Sequence, residues 1–393
     1  MNKQYSSNSF VLGVFFLLYA TYAYCIGGNT FKYLSLIIGF ILLLNSVKFL
    51  KNFKSNGYIS VISILTFLLL VMVSFVQEQE TSDVLYIVFD FVCMCLFLLG
   101  YFLSKKRFEI LNISNYVKII IFFFILFGSF YLIKLQLFSR VIGLNSRDVQ
   151  DDLLNANGIA FITAQLFILI SWLIYIEKEK MYKFILGSAL TLVLGSLLFT
   201  ESRGSVLYLL LSMIIFYGFN LRKIVNLKFF IYISLGSLIV YNLLNSIPEL
   251  SEKIQLTFDR FFKFYEYLNS TNTVDRSLDA RKEVREYFYN NYNEMLFGQQ
   301  YYKPYPHNQF LEIIMRWGII GLPIFIISII SFLKCIRNIY RKPSKSILPF
   351  FISILFIFTY FQSMSSLSLD NNRFLWFGFG FFMGYSNQSK ISL

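Results

Sequence analysis

Apolar residues along this chain gather into long unbroken runs set apart by short polar stretches. The runs fall at about 10–26, 32–47, 58–76, 84–103, 116–138, 156–176, 183–200, 204–220, 229–247, 308–333, 347–366 and 373–386. A hydrocarbon layer of roughly 30 Å takes about 20 helical residues to cross, so the pattern predicts about twelve transmembrane helices. Strands of a membrane barrel would alternate apolar and polar positions, which these runs do not. Lipid offers no partner to a backbone amide, whereas a helix satisfies its own. The expected fold class is therefore all-α, a polytopic integral membrane protein with one transmembrane domain over residues 1–393.

The polar stretches alternate in character. Those after the second, fourth, sixth, eighth and tenth runs carry Lys48, Lys51 and Lys54, then Lys105, Lys106 and Arg107, then Lys178 and Lys180, then Arg222, Lys223 and Lys228, then Arg337, Arg341, Lys342 and Lys345. The intervening ones are poor in lysine, as in QEQETSD at 77–83. The positive-inside rule then puts both termini in the cytoplasm. One connection differs in length: residues 248–306, between the ninth and tenth helices, form a long external loop of nearly balanced charge. Within it, SLDARKEVREYFYNNY places Leu278, Arg281, Val284, Arg285 and Phe288 at helical spacing behind Ser277, a capping residue. This predicts an amphipathic helix lying on the outer membrane surface.

Composition narrows the function classes. Hydrophobic residues make up 56% of the chain and charged ones 15%, far more apolar than an ordinary soluble domain. The net charge of +13 would suit nucleic acid, but the cations are scattered between apolar runs and not gathered on one soluble face, so no nucleic-acid partner is expected. The four cysteines make no disulfide framework: Cys93 and Cys95 point to different faces of one run, and Cys25 and Cys335 belong to distant ones. The first apolar run leads straight into a second with no small-residue cleavage site, so no cleavable signal peptide is expected.

On the external side, polar residues collect at the starts of three inward-running helices. The sixth opens after SRDVQDDLLNANG, the eighth after ESRGS and the tenth at HNQFLE. Each start offers unpaired backbone N–H groups and a partial positive charge. Together with Arg147, Arg203 and Arg281, this suits a phosphorylated ligand at the membrane surface. The one histidine, His307, stands where the long loop meets the tenth run. A single imidazole without a carboxylate cluster makes no divalent site, so neither metal nor cofactor is expected.

Each residue also has a purely structural reading. Arg203 beside Glu201 suits an interfacial ion pair, and Arg281 with Arg285 suits a solvated helix face. His307, with Asn308 beside it, suits a cap for the tenth helix. Glu312 and Arg316 sit a turn apart and suit an intrahelical pair. Asp90, costly in lipid, suits a polar interior.

Taken together, HNQFLEIIMRWGIIGL, the ESRGS helix start, Arg281 in the long loop ahead of LFGQQ, and NANGIA opening the sixth helix resemble the O-antigen polymerase and O-antigen ligase superfamily. The pattern HN-x-x-L-E followed by G-x-x-G-L is its most specific element. The resemblance covers roughly the fifth to the twelfth runs, and the polysaccharide polymerase of the Wzy type is the closer branch. The chain departs from the family at Ala156, where a proline precedes the asparagine, and at Arg316, a position more often acidic.

The resemblance implies a metal-independent glycosyltransferase on the external face of the bacterial cytoplasmic membrane, taking a glycan from undecaprenyl diphosphate. Breaking a sugar–phosphate bond leaves negative charge on the departing diphosphate, which arginines can grip in pairs. The attacking hydroxyl needs a base, and an imidazole titrates near neutrality. By that analogy His307 would act as base, and Arg281 and Arg203 would hold the diphosphate. Asn308 and Glu312 would orient His307, while Arg147, Asn157 and Arg285 would contact substrate and Arg276 would stand in for Arg281. Implied partners are the lipid-linked glycan, membrane lipid, a chain-length regulator and a flippase. The alternative within the superfamily is the ligase that moves finished glycan onto lipid A core. A near-neutral loop, in which Glu249, Glu252, Asp259 and Glu266 offset Lys and Arg, fits a sugar acceptor better than a phosphate-rich core. A lipid-linked oligosaccharide flippase ranks below both, because it needs charges deep within several helices and no large loop.

Overall fold

The structure, a computed structural model, describes residues 3–47, 84–104, 113–141, 156–200, 202–218, 276–293, 295–298, 308–341, 347–365 and 372–385, together with 255, 259, 262 and 369. All its extended elements are helices: α1 (Lys3–Val47), α2 (Val84–Ser104), α3 (Asn115–Val141), α4 (Ala156–Ile176), α5 (Lys180–Phe199), α6 (Arg203–Gly218), α7 (Arg276–Asn291), α8 (Gln309–Trp317), a 3-10 turn (Gly318–Gly321), α9 (Leu322–Arg341), α10 (Ile347–Ser363) and α11 (Arg373–Gly384). Among the described residues, four stretches are long and apolar enough to cross a membrane: Asn115–Leu132, Gly158–Ile176, Lys180–Leu198 and Gln309–Tyr340. Shorter apolar helical stretches run Ser7–Ala20, Thr30–Ser46, Val92–Ser104, Arg203–Ile215 and Pro349–Ser363. The described residues are those of an all-helical membrane protein, and apart from α7 their helices follow the apolar runs of the sequence. The runs at 58–76 and 229–247, and Arg147 and His307, lie outside the described residues.

Two compact units divide the chain. The first comprises Met1–Ser46, Ile110–Asp275 and Pro343–Ile354. Its α1 is two arms joined at Gly27 and Gly28, the latter at φ 67°, a left-handed backbone that glycine adopts without penalty. The arms fold back on each other, with Ser35 Oγ donating to the Phe16 carbonyl at 2.7 Å. The first arm lies along α3: the Ser114 N–H donates to Asn8 Oδ1 at 2.9 Å and Tyr19 Oη to the Phe124 carbonyl at 2.8 Å. Trp172 of α4 stacks on Phe351 with ring centroids 4.6 Å apart. Where α4 turns into α5, the buried Lys118 ammonium pairs with the Glu177 carboxylate. Burial by itself raises the Glu177 pKa, but the hydrogen bond and charge of Lys118 and the N–H groups of Glu179 and Lys178 outweigh it, leaving the carboxyl below its ordinary range.

The second unit comprises Val47–Glu109, Arg276–Lys342 and Leu355–Leu393. Here α2 and α11 run parallel in near backbone contact: Gly380 rests on the Phe97 carbonyl and Gly384, one turn on, near that of Tyr101, while Gly100 lies against Phe377 and Phe381, with no room for a Cβ. Small residues of this kind let membrane helices pack without a hydrophobic driving force. Along α9, Ser331 Oγ donates to the Phe379 carbonyl at 3.2 Å and Lys334 Nζ to that of Met383 at 3.4 Å, so α9 also runs parallel to α11. Against α9, α10 packs the Tyr360 ring on Phe332, with centroids 4.4 Å apart.

Two expectations are corrected. The tenth run is not one continuous helix: it breaks at Gly318, at φ 54°, into α8, a 3-10 turn and α9. The helix expected behind Ser277 begins one residue earlier, at Arg276, so Ser277 lies in its first turn instead of at its cap.

Candidate functional site

The residues singled out in the tenth run meet at one end of the second unit, around the start of α8. Asn308 is the N-cap: extended at φ −149° and ψ 122°, it accepts the Phe310 and Leu311 N–H groups on Oδ1 at 2.9 and 3.3 Å. This satisfies donors that a helix start leaves open. The cap weighed for His307 and Asn308 together is thus supplied by Asn308. Gln309 follows, fully buried, and accepts from Ser363 Oγ on Oε1 at 2.8 Å.

Glu312, one turn on, is 1% exposed. A carboxylate at such depth needs strong donors. It finds one in the Leu369 N–H, which lies 3.1 and 3.0 Å from its two oxygens. The Leu369 carbonyl in turn accepts Trp376 Nε1 at 2.8 Å, and Asn372 Nδ2 donates to the Thr359 carbonyl at 2.9 Å. Glu312 therefore staples α8 to the turn that launches α11. Four residues further along α8, the Arg316 guanidinium lies over the Trp317 ring, 4.8 Å from its centroid.

Sequence reasoning missed the polar residues that complete this layer. Gln309, Gln362, Ser363 and Asn372 are all fully buried. Among the described residues, both amide atoms of Gln362 and Asn372 Oδ1 have no hydrogen-bond partner. The available signal was Gln362, an amide within the otherwise apolar eleventh run; such residues in a membrane helix mark polar interiors.

The loop arginines belong to the same unit. Arg276, Arg281 and Arg285 lie on α7, with Arg281 and Arg285 one turn apart. Val284 turns inward at 1% exposure while Lys282, Glu283, Arg285 and Glu286 face outward. Beyond α7, the chain buries Met295 and locks onto the break after α8: the Ile319 N–H donates to the Leu296 carbonyl at 2.9 Å. Gly298, at φ 82°, presses against the Arg316 carbonyl, and a Cβ on it would stand 2.9 Å from Trp317 Cα. Gly318 presses against the Leu296 carbonyl in return. Two left-handed glycines thus let two backbones meet, tethering the arginine-bearing helix to α8.

Two further candidates belong to the first unit. Arg203 is the first residue of α6, half-buried, behind a buried Ser202 whose Oγ bonds Ser205 Oγ at 3.2 Å. Asn157 is in the first turn of α4. Comparison of the chain with protein-family models, with curated proteins and with solved structures returned no match.

Proposed function

We propose that this protein is a glycosyltransferase of the bacterial cytoplasmic membrane that joins undecaprenyl-diphosphate-linked repeat units into O-antigen or capsular polysaccharide on the external face. The observation that carries this reading is that two of the sequence elements that prompted it, the Asn308–Glu312 helix start and the arginine-bearing helix α7, belong to one unit. The helix start Asn308–Glu312 is pinned by a buried network, and the helix with Arg276, Arg281 and Arg285 is bonded to its far end through Leu296 and Ile319. His307 immediately precedes the capping Asn308. In this reading the acceptor hydroxyl oxygen attacks C1 of the donor sugar as its proton passes to His307. The C1–O bond breaks with its electron pair moving to the phosphate oxygen, and the arginines neutralise the departing diphosphate.

Helix directions are compatible with twelve crossings and with both termini on one side of the membrane, the side itself resting on the charge pattern of the connections. α2, α9 and α11 run the same way, and if α3 to α6 each cross once, an odd number of crossings is still needed before α9. The apolar run at 229–247 supplies it. Likewise the first arm of α1 runs parallel to α3, with its second arm and α2 between them, and the run at 58–76 restores the parity.

The test is complementation of a host lacking the gene, scored by glycan length. His307→Ala and Arg281→Ala should stop chain extension while the protein reaches the membrane at normal abundance. Arg281→Lys should rescue poorly, because a point charge cannot reproduce the planar fork. Full-length glycan from His307→Ala would remove the catalytic role. Accumulation of finished polymer on the lipid carrier would identify the ligase instead.

A further inference from the structure

Tyr289, Tyr292, Leu296 and Phe297 all stand exposed at the end of α7 and the turn beyond it, Phe297 at 73%. They are not isolated. The Leu296–Ile319 backbone bond sets them beside Ile319, itself 60% exposed, and Leu322 follows at 52%. From there the exposed apolar face continues down α9 through Ile326, Ile329 and Leu333, spaced at three and four residues as one helix face. In a membrane helix such a face meets acyl chains.

The depth of the patch follows from helix geometry. Arg337 is the first exposed arginine at the far end of α9, and Ile319 precedes it by 18 residues. At 1.5 Å per residue that is about 27 Å, close to the roughly 30 Å of a hydrocarbon core. With Arg337 at one headgroup layer, Ile319 and the Leu296–Phe297 turn fall at the opposite boundary, where aromatic residues concentrate in membrane proteins. Arg285 precedes Tyr289 by one turn on the same face of α7, so its guanidinium reaches the same layer.

We propose that Tyr289, Tyr292, Leu296 and Phe297 form a membrane foot, seated in the interface of the leaflet that faces α7. Its partner is the lipid bilayer itself, engaged through aromatic and aliphatic side chains. The exposed charges of α7 are mixed, Lys282 and Arg285 against Glu283 and Glu286, so insertion needs no anionic lipid. The foot fixes the loop helix at headgroup height, and this placement is independent of the chemistry proposed above.

Spin labels on single cysteines test this in vesicles of phosphatidylcholine alone, with the four native cysteines replaced by alanine. At Phe297→Cys and Tyr292→Cys, collisions with oxygen should exceed those with a water-soluble nickel complex, as at the lipid-facing reference Leu322→Cys. At Glu283→Cys on the outer face of α7 the ratio should invert. A label at 297 as open to nickel as the one at 283 overturns the proposal. A label at 297 shielded from both reagents and immobilised also overturns it, and assigns the patch to a second copy of the chain or another protein. A normal lineshape and oxygen preference at Leu322→Cys establish that each preparation is folded and inserted.

Discussion

Replacing Glu312 separates a structural staple from a group that acts only on His307. Its carboxylate takes the Leu369 N–H between two oxygens at 3.1 and 3.0 Å, and at 1% exposure no bulk water can substitute. Glu312→Ala removes a hydrogen bond to a charged acceptor, worth about 1.5–3 kcal/mol, and leaves a buried donor unpaired at a cost of about 1–3 kcal/mol. These two figures overlap, so about 3 kcal/mol is a fair total. At roughly 2–4 °C per kcal/mol for a unit of this size, the melting midpoint should fall by roughly 6–12 °C. Glu312→Gln keeps one oxygen for the Leu369 N–H and loses the charge assistance to that bond, so it should fall by less. Tryptophan fluorescence in detergent is a direct readout, since Trp376 donates to the Leu369 carbonyl and senses the same turn. An unchanged melting curve for Glu312→Ala would refute the staple. If glycan extension were lost at the same time, the side chain would serve His307 alone.

Gly318→Ala should destabilise the contact between α8 and the loop by about 3 kcal/mol, since a side chain at φ 54° costs about 1–3 kcal/mol and its Cβ meets the Leu296 carbonyl. Amide hydrogen exchange should quicken across 295–298 and at Ile319 while α2 and α11 stay protected, and unchanged exchange at Ile319 would contradict the tether. Glu177→Gln should destabilise the first unit near neutral pH by about 3 kcal/mol, because it removes the counter-charge of a buried Lys118 and leaves it only Asn115 Oδ1 and the Tyr182 ring. The folded-state pKa of Glu177 lies below its unfolded value, so its contribution is present above the ordinary carboxylate range and is lost as pH falls through the folded value. The gap between wild type and Glu177→Gln should accordingly close in acid, and a gap constant down to about pH 3 would argue against the pair.

Much of the helical layout was legible in the apolar runs, as α4 at Ala156–Ile176 shows, because in lipid length and continuity decide the element. What escaped was non-local. The break at Gly318 depends on the backbone of Leu296 and Gly298 arriving beside it, and nothing in WGIIG by itself separates a break from a close helix contact. The Leu369 N–H that Glu312 accepts is 57 residues away, beyond what local spacing can show. Gln362 went unread because its surroundings in α10 are apolar along the chain and polar only in three dimensions. At the site itself, Asn308 was legible as a cap candidate from its type and place before an amphipathic stretch, and its two N–H contacts follow from that local chemistry.

The buried polar layer has a further consequence for how the second unit holds one arrangement. With 47 phenylalanines in the chain, apolar faces meet in many nearly equivalent ways, and rings such as those of Phe356, Phe379 and Phe382 can slide with little change in buried area. Hydrogen bonds cannot slide. Gln309 to Ser363 sets α8 against α10, Glu312 to Leu369 sets it against the turn before α11, Asn372 to Thr359 ties that turn back to α10, and Ser331 to Phe379 sets α9 against α11. Three of these four contacts lie at the α8 end of the unit. In lipid each such bond contributes about 0.6 kcal/mol on average, so their combined effect on stability is modest. Their effect on register is not, because a shift of α10 by one residue would break the first and third together and leave buried donors unpaired. Polar pegs in a phenylalanine-rich bundle thus fix the height of Asn308 with a definition that apolar packing alone does not supply.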